Sequence, residues 1–295
     1  MKTFFYIIGL AAMLLNLTSC AEDKLDSTSI FEDDTARKEN GFDVWLKKNY
    51  TDTYNIRVMY RLEDMETDLE HTLAPADFEL SQKLAKIVKY AWLEVYDEIA
   101  GVDFTRAYVP KLIHMIGSPA YEENGTMILG TAEGGLKVTL YVVNNLTLEE
   151  GFLNEFYLKT MHHEFTHILN QTKNYDTEFE RISEGLYVSG DWYLSADKDV
   201  LPLGFITPYA SSQPGEDFAE MVAMYVTLKP EVWKERLAVA GETGAEIINR
   251  KLSMVKKYMS DAWGIDMDEL RDVVQRRVAE VVNGTLDLNP IITIE

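Results

Sequence analysis

The stretch Met161-His162-His163-Glu164-Phe165-Thr166-His167 constrains this chain more than any other. Within it two histidines stand four residues apart, with a glutamate directly after the first. At 3.6 residues per turn, His163 and His167 fall on one face of a helix, about 6 Å apart. That separation lets two imidazoles converge on one zinc ion, and it sets Glu164 to the side, where it reaches water at the metal rather than the metal itself. A Lewis acid, a polarised water and a general base are what a metallohydrolase needs. The chain holds five histidines, and three of them fall at 162, 163 and 167. Phe156, Leu158, Met161, Phe165, Ile168 and Leu169 add apolar faces, so the motif is predicted on a buried helix over residues 153–171.

Zinc bound by two histidines needs a third protein ligand and an open fourth position. No histidine follows His167, which excludes a third histidine downstream, so the ligand is expected to be a carboxylate on a later segment. Two candidates stand out. Glu184, in Ile182-Ser183-Glu184-Gly185, resembles the ligand segment of aminopeptidase-like gluzincins at a slightly short spacing. Glu216 opens the helix Glu216-Asp217-Phe218-Ala219-Glu220, where Glu216 and Glu220 share a face; one can bind zinc while the other accepts the outer N–H of a ligating histidine. Tyr209 followed by this helix resembles the ligand segment of lethal-factor-type zinc peptidases. That likeness implies a tyrosine hydroxyl over the metal, Glu216 as ligand and Glu220 in support, and it favours Glu216 over Glu184.

The N-terminus begins with Lys2 and an apolar run from Phe4 to Leu15, a secretory signal too short for a membrane span. It ends Leu17-Thr18-Ser19-Cys20, which looks like a lipobox. Cys20 is the only cysteine and has no partner within the chain. Residues 1–19 are therefore read as a lipoprotein signal peptide, with Cys20 lipidated, and residues 20–40 as an acidic tether. Loss of residues 1–19 removes Lys2 and takes the net charge from −21 to −22. So acidic a chain is excluded from binding nucleic acid or anionic headgroups by charge, and the membrane link is the lipid.

Residues 41–295 are read as one catalytic domain, α/β to about residue 170 and helical after. Asp77 to Ala100 keeps helical spacing with Gly101 as a stop. Strands are predicted over residues 55–60, 111–116, 127–129 and 136–143, with the stretch Gly130–Gly135 as a turn. His114 reads as an ordinary core or surface histidine. Lys137 to Val143 precedes the motif helix and is the expected edge strand, the one that would receive a substrate backbone by strand addition. Residues 172–212 are irregular and aromatic-rich. Helices follow from Pro214, over residues 230–262 with a break near Gly241 and Gly244, and over residues 267–282.

Taken together, the chain resembles the substrate import-associated zinc metallohydrolase lipoproteins, also described as zinc-binding metallopeptidases. The likeness rests on Leu17-Thr18-Ser19-Cys20, Gly130-Thr131-Ala132-Glu133-Gly134-Gly135, His162 through His167, and Gly204-Phe205-Ile206-Thr207-Pro208-Tyr209-Ala210-Ser211-Ser212 leading to Glu216 through Glu220. It implies an α+β, zincin-like fold of gluzincin type, with a small mixed sheet and an edge strand beside the motif helix. It further implies zinc on His163, His167 and Glu216, Glu164 as base, Tyr209 at the oxyanion, Glu220 in support, and a site in the outer membrane, at the cell surface or periplasmic face, beside a nutrient-import transporter. The expected substrate is a peptide or protein. The competing reading is a non-catalytic, zinc-containing surface lipoprotein that captures peptide or glycan for such a transporter.

Overall fold

A computed structural model describes residues 39–63, 70–123, 125–128, 130–133 and 136–291. The signal peptide, Cys20 and nearly all of the expected tether lie outside these residues. From Asn40 onward the chain forms one unit.

Helix α1 (Gly41–Leu46) starts on a capping box, in which Asn40 accepts from the Asp43 amide and Asp43 accepts from the Asn40 amide. After strand β1 (Arg57–Met59), Asp77 caps α2 (Phe78–Val88) by accepting from the Leu80 amide. A π turn over Lys89–Leu93 continues it into α3 (Glu94–Ala100). Leu84, Ile87, Val88, Trp92 and Val95 are all fully buried, so the stripe read from the sequence is the face that packs. Gly101 ends the run at φ +87, a conformation in which glycine has no Cβ to clash. Helix α4 (Val102–Tyr108) then leads to the sheet.

The sheet strands are β2 (Leu112–Met115), β5 (Gly130–Glu133) and β6 (Lys137–Leu140), with β1; a separate two-stranded ribbon is made by β3 (Ala120–Tyr121) and β4 (Met127–Ile128). The four-stranded order is β1-β2-β6-β5. β1, β2 and β6 run parallel, and β5 is antiparallel to β6. Ile113, Val138 and Leu140 are buried, as parallel strands covered by helices require. His114 on β2 is buried as well.

Two expectations are corrected here. The stretch Gly130–Gly135 is not a turn as a whole: Gly130–Glu133 is strand β5, pairing Thr131 with Thr139 and Ala132 with Val138. Only the glycine pair after Glu133 breaks the pattern in sequence, and four residues suffice for a short strand. Nor is the segment from Lys137 the edge. β6 is bonded to β2 on one side and β5 on the other, so the edge belongs to β5. β6 also stops at Leu140, because Val142 adopts φ +64 on entering a 3-10 turn at Val143–Asn145.

The motif region is helical from α5 (Glu150–Leu153) through a π turn at Asn154–Leu158 into α6 (Lys159–Thr172). The aromatic-rich stretch is built of short pieces. These are α7 (Glu178–Ile182), 3-10 turns at Ser189–Leu194, Leu201–Leu203 and Tyr209–Ser211, and α8 (Asp197–Val200). The remainder is α9 (Pro214–Thr227), α10 (Pro230–Trp263) and α11 (Met267–Val282). Within α10, Gly241 leaves helical geometry at φ +69, which is the break expected there. The fold is thus α+β, with a small mixed sheet and a mainly helical C-terminal part. α6 packs on α9, and Phe165 drives its other face into a cluster with Trp92, Tyr96 and Phe104 at centroid distances of 5.8, 4.7 and 6.0 Å. Among the described residues, no helix is long and apolar enough to cross a membrane.

Candidate metal centre

Three adjacent side chains of α6 point in different directions because successive residues turn by about 100°. His162 faces the core: it is fully buried, its Nδ1 lies 2.8 Å from the Tyr96 hydroxyl, and burial pushes its pKa down to about 3. It is therefore a neutral core histidine. His163, one turn before His167, faces α9 instead. Glu164 is half-buried and lines a cleft beside His163.

Glu216, in the first turn of α9, meets both histidines. Its Oε2 lies 2.8 Å from His163 Nε2 and 3.1 Å from His167 Nε2, and the two Nε2 atoms are 3.1 Å apart. Among the described residues these three form the group whose ligand atoms converge as metal donors do. Glu184 is exposed and stands outside it. Glu216 Oε1 accepts from Gln213 Nε2 at 3.1 Å, a second anchor for the carboxylate.

The far side of the His163 ring is fixed by Glu220, whose Oε1 lies 2.9 Å from Nδ1. With a metal in the group, Nδ1–H would donate to that carboxylate and leave the Nε2 lone pair for the ion. Glu220 is itself buried and satisfied. Its Oε2 accepts from Thr207 Oγ1 at 2.6 Å and pairs with Lys159 Nζ at 2.9 Å. Burial opposes ionisation of Glu220, but Lys159 and His163 outweigh it and hold its carboxyl at about 2. Burial likewise opposes charge on His163, yet Glu216 and Glu220 lift its pKa to about 9. A field that draws a proton to this imidazole favours any cation there.

The donor set fits zinc. Two imidazole nitrogens and one carboxylate oxygen suit it, and three protein ligands leave a position open. Donors held tetrahedrally at about 2.0–2.1 Å from zinc lie about 3.3 Å from one another, close to the 2.8–3.1 Å found.

Tyr209 lies beside the group, its ring 5.7 Å from that of His163. Burial first, then the charge of Glu216, push its pKa well up, so its proton stays on. Trp192 packs edge-on against it at 4.9 Å. The adjoining cleft, about 340 Å³, runs between these two rings, the ribbon residues Met127 and Ile128, and Glu164 on α6. Glu164 has its pKa raised chiefly by burial, which makes it more basic than a surface carboxylate.

The chain's relatives agree with this chemistry. The model of a family described as "putative zinc-binding metallo-peptidase" matches residues 35–268. The chain belongs to that family. A solved structure titled as a putative zinc-binding metallo-peptidase, from Bacteroides caccae, is 51% identical, covers 85% of this chain and 96% of its own, and superposes with a TM-score of 0.76. Among curated proteins nothing matches. In this chain the sequence reading brought forward His163, Glu164, His167, Tyr209, Glu216 and Glu220, and all six lie in this one region. It missed Lys159 and Thr207. The signal for Lys159 was there: residues 159, 163 and 167 repeat every four and share a helix face. Thr207 had no signal of its own, because its role depends on a fold-back of the chain.

Proposed function

We propose that this protein hydrolyses peptide bonds as an HExxH metallopeptidase of gluzincin type with a zincin-like arrangement, using zinc held by His163, His167 and Glu216. The observation that carries the reading is the convergence of those three ligand atoms, with Glu164 beside them in an open cleft. When bound, zinc supplies a Lewis acid that polarises a carbonyl and acidifies water. Glu164 takes a proton from the attacking water and passes it to the leaving amine nitrogen. Tyr209, which keeps its proton, donates to the oxygen that becomes negative. Glu220 holds His163 in the tautomer that leaves Nε2 free. The substrate chain lies extended along the outer edge of β5, which borders α6, and pairs with it as an added strand.

The same proposal places the protein on a lipid at Cys20, exported and held at the outer membrane, where it serves nutrient import beside a transporter. The lipobox and acidic tether support this part. Zinc used only as structure, in a capture protein, would not need a general base beside the three ligands, and structural zinc usually takes four protein ligands. The test is incubation of the purified, zinc-loaded chain with a mixed peptide library, with and without a chelator. Chelator-sensitive cleavage is expected. Binding of peptide or glycan with no cleavage of any peptide would favour the capture role.

A further inference from the structure

Behind the site lies an ion pair with neither side chain exposed: Lys251 of α10 and Asp217 of α9, Nζ to Oδ2 2.6 Å. Lys251 Nζ also donates to the Gly204 carbonyl at 2.9 Å and sits 4.2 Å from the Phe205 ring centroid. The Tyr187 hydroxyl donates to the same Asp217 oxygen at 3.0 Å. A fully buried pair of this kind is weak ground for stability, since desolvation offsets the attraction and an apolar pair of similar volume is often as stable. What it joins is more telling. Asp217 follows Glu216 in the first turn of α9, and the Gly204 carbonyl opens the segment that carries Thr207 and Tyr209. Thr207 in turn holds Glu220, the partner of His163.

Consecutive helix residues diverge by about 100°, so Asp217 points to the core while Glu216 points at the histidines. A glutamate carboxylate stands roughly 6 Å from its helix axis, and a 10° rotation of the helix moves it by about 1 Å. Sites of this kind tolerate about 0.5 Å. One ammonium therefore fixes both the rotation of α9 and the path of the Gly204–Tyr209 segment.

We propose that Lys251 is a positioning residue for the metal centre, holding Glu216 and Tyr209 in register with His163 and His167 through Asp217 and the Gly204 carbonyl. The proposal rests on reading His163, His167 and Glu216 as zinc ligands. Lys251 touches none of them.

The test compares the full chain with Lys251→Met/Asp217→Leu, which replaces the pair by apolar side chains, and with Tyr187→Phe, which removes one hydrogen bond to Asp217. Zinc affinity is read by competition with a chromogenic chelator, and thermal midpoints are read without metal. The double variant should melt within a few degrees of the native chain yet bind zinc about 10- to 100-fold more weakly, the range seen when outer supports of metal ligands are lost. Tyr187→Phe should weaken zinc a few-fold. A double variant that binds zinc as tightly as the native chain would overturn the positioning role and leave the metal centre standing. One that fails to fold would overturn it too, by showing that the pair serves the core. A native chain that binds no zinc would overturn the metal centre itself, and this role with it.

Discussion

His163 Nδ1 and Glu220 Oε1 lie 2.9 Å apart, on the side of the imidazole away from Glu216. The contact links a residue of α6 to one of α9 and would keep the proton on Nδ1 when Nε2 gives its lone pair to a metal. Glu220 is one helical turn after Glu216, so one face of α9 meets both ring nitrogens of His163.

Glu220→Ala should therefore lower zinc affinity by about 10- to 100-fold. The ring of His163 would lose its anchor, and Lys159 and Thr207 would lose their shared acceptor. Chelator competition measures the effect. An unchanged zinc affinity would show that His163 is held by packing alone.

Glu164→Gln separates binding from turnover. The amide keeps the shape of the side chain but cannot take a proton from water, so cleavage of library peptides should fall by at least about 10²-fold. Zinc content should stay at the native level. Glu184→Gln is the matched control: an exposed glutamate outside the group should change neither quantity. A zinc-loaded, fully active Glu164→Gln chain would remove Glu164 from the mechanism.

Much of this site was legible because its chemistry is local. His163, Glu164 and His167 share two helical turns, and Glu216 and Glu220 share another, so period alone places them. The helix from Phe78 to Ala100 was equally plain, since its apolar stripe and its Asp77 and Gly101 ends agree. What the sequence could not give is order across the sheet. β6 lies between β2 and β5 because a parallel crossover puts it there, and nothing in Lys137 to Leu140 records its neighbours. The π turn at Asn154–Leu158, just before the motif, likewise leaves no mark in the apolar pattern. Lys251 was hidden for a different reason: a lysine on a long helix reads as a surface residue until its partners are known.

Acid stability should depend on Asp43. Burial opposes its ionisation, but Arg61 with two hydrogen bonds, the Asn40 amide and the Tyr60 hydroxyl together hold its carboxyl below the usual range. A carboxylate with a lowered folded pKa contributes stability that is complete above its unfolded value, near 4, and is lost as pH falls through the folded value. Asp43→Asn should thus be less stable than the native chain at pH 7, by about 1 kcal/mol or less for so partly exposed a pair. The gap should close on acidification below pH 4. Urea midpoints for both chains between pH 7 and pH 3 check this, and a gap that widens in acid would reverse the sign of the argument.

The segment that carries Thr207 and Tyr209 should be sensitive at its first residue. Gly204 has φ +87, and a Cβ added there would meet Ile247 Cγ2 at 2.2 Å. Gly101 shares that φ but faces open space, with nothing within 4 Å of the added atom. Gly101, at ψ 152, tests backbone strain alone, whereas Gly204, in the left-handed region at ψ 20, adds crowding to a milder strain. Gly101→Ala should cost about 1–3 kcal/mol for its glycine-favouring backbone, with no loss of packing. Gly204→Ala should cost about 2–4 kcal/mol, because overpacking against Ile247 adds to that strain. Displacing the Gly204 carbonyl also disturbs the Lys251 contact at 2.9 Å, so zinc affinity should fall in Gly204→Ala and not in Gly101→Ala. Urea unfolding without metal, followed by chelator competition, reads both effects. A cost of only about 1 kcal/mol for Gly204→Ala, that of the left-handed backbone alone, would mean that Ile247 yields freely, and that this end of the segment is not held in place by its packing.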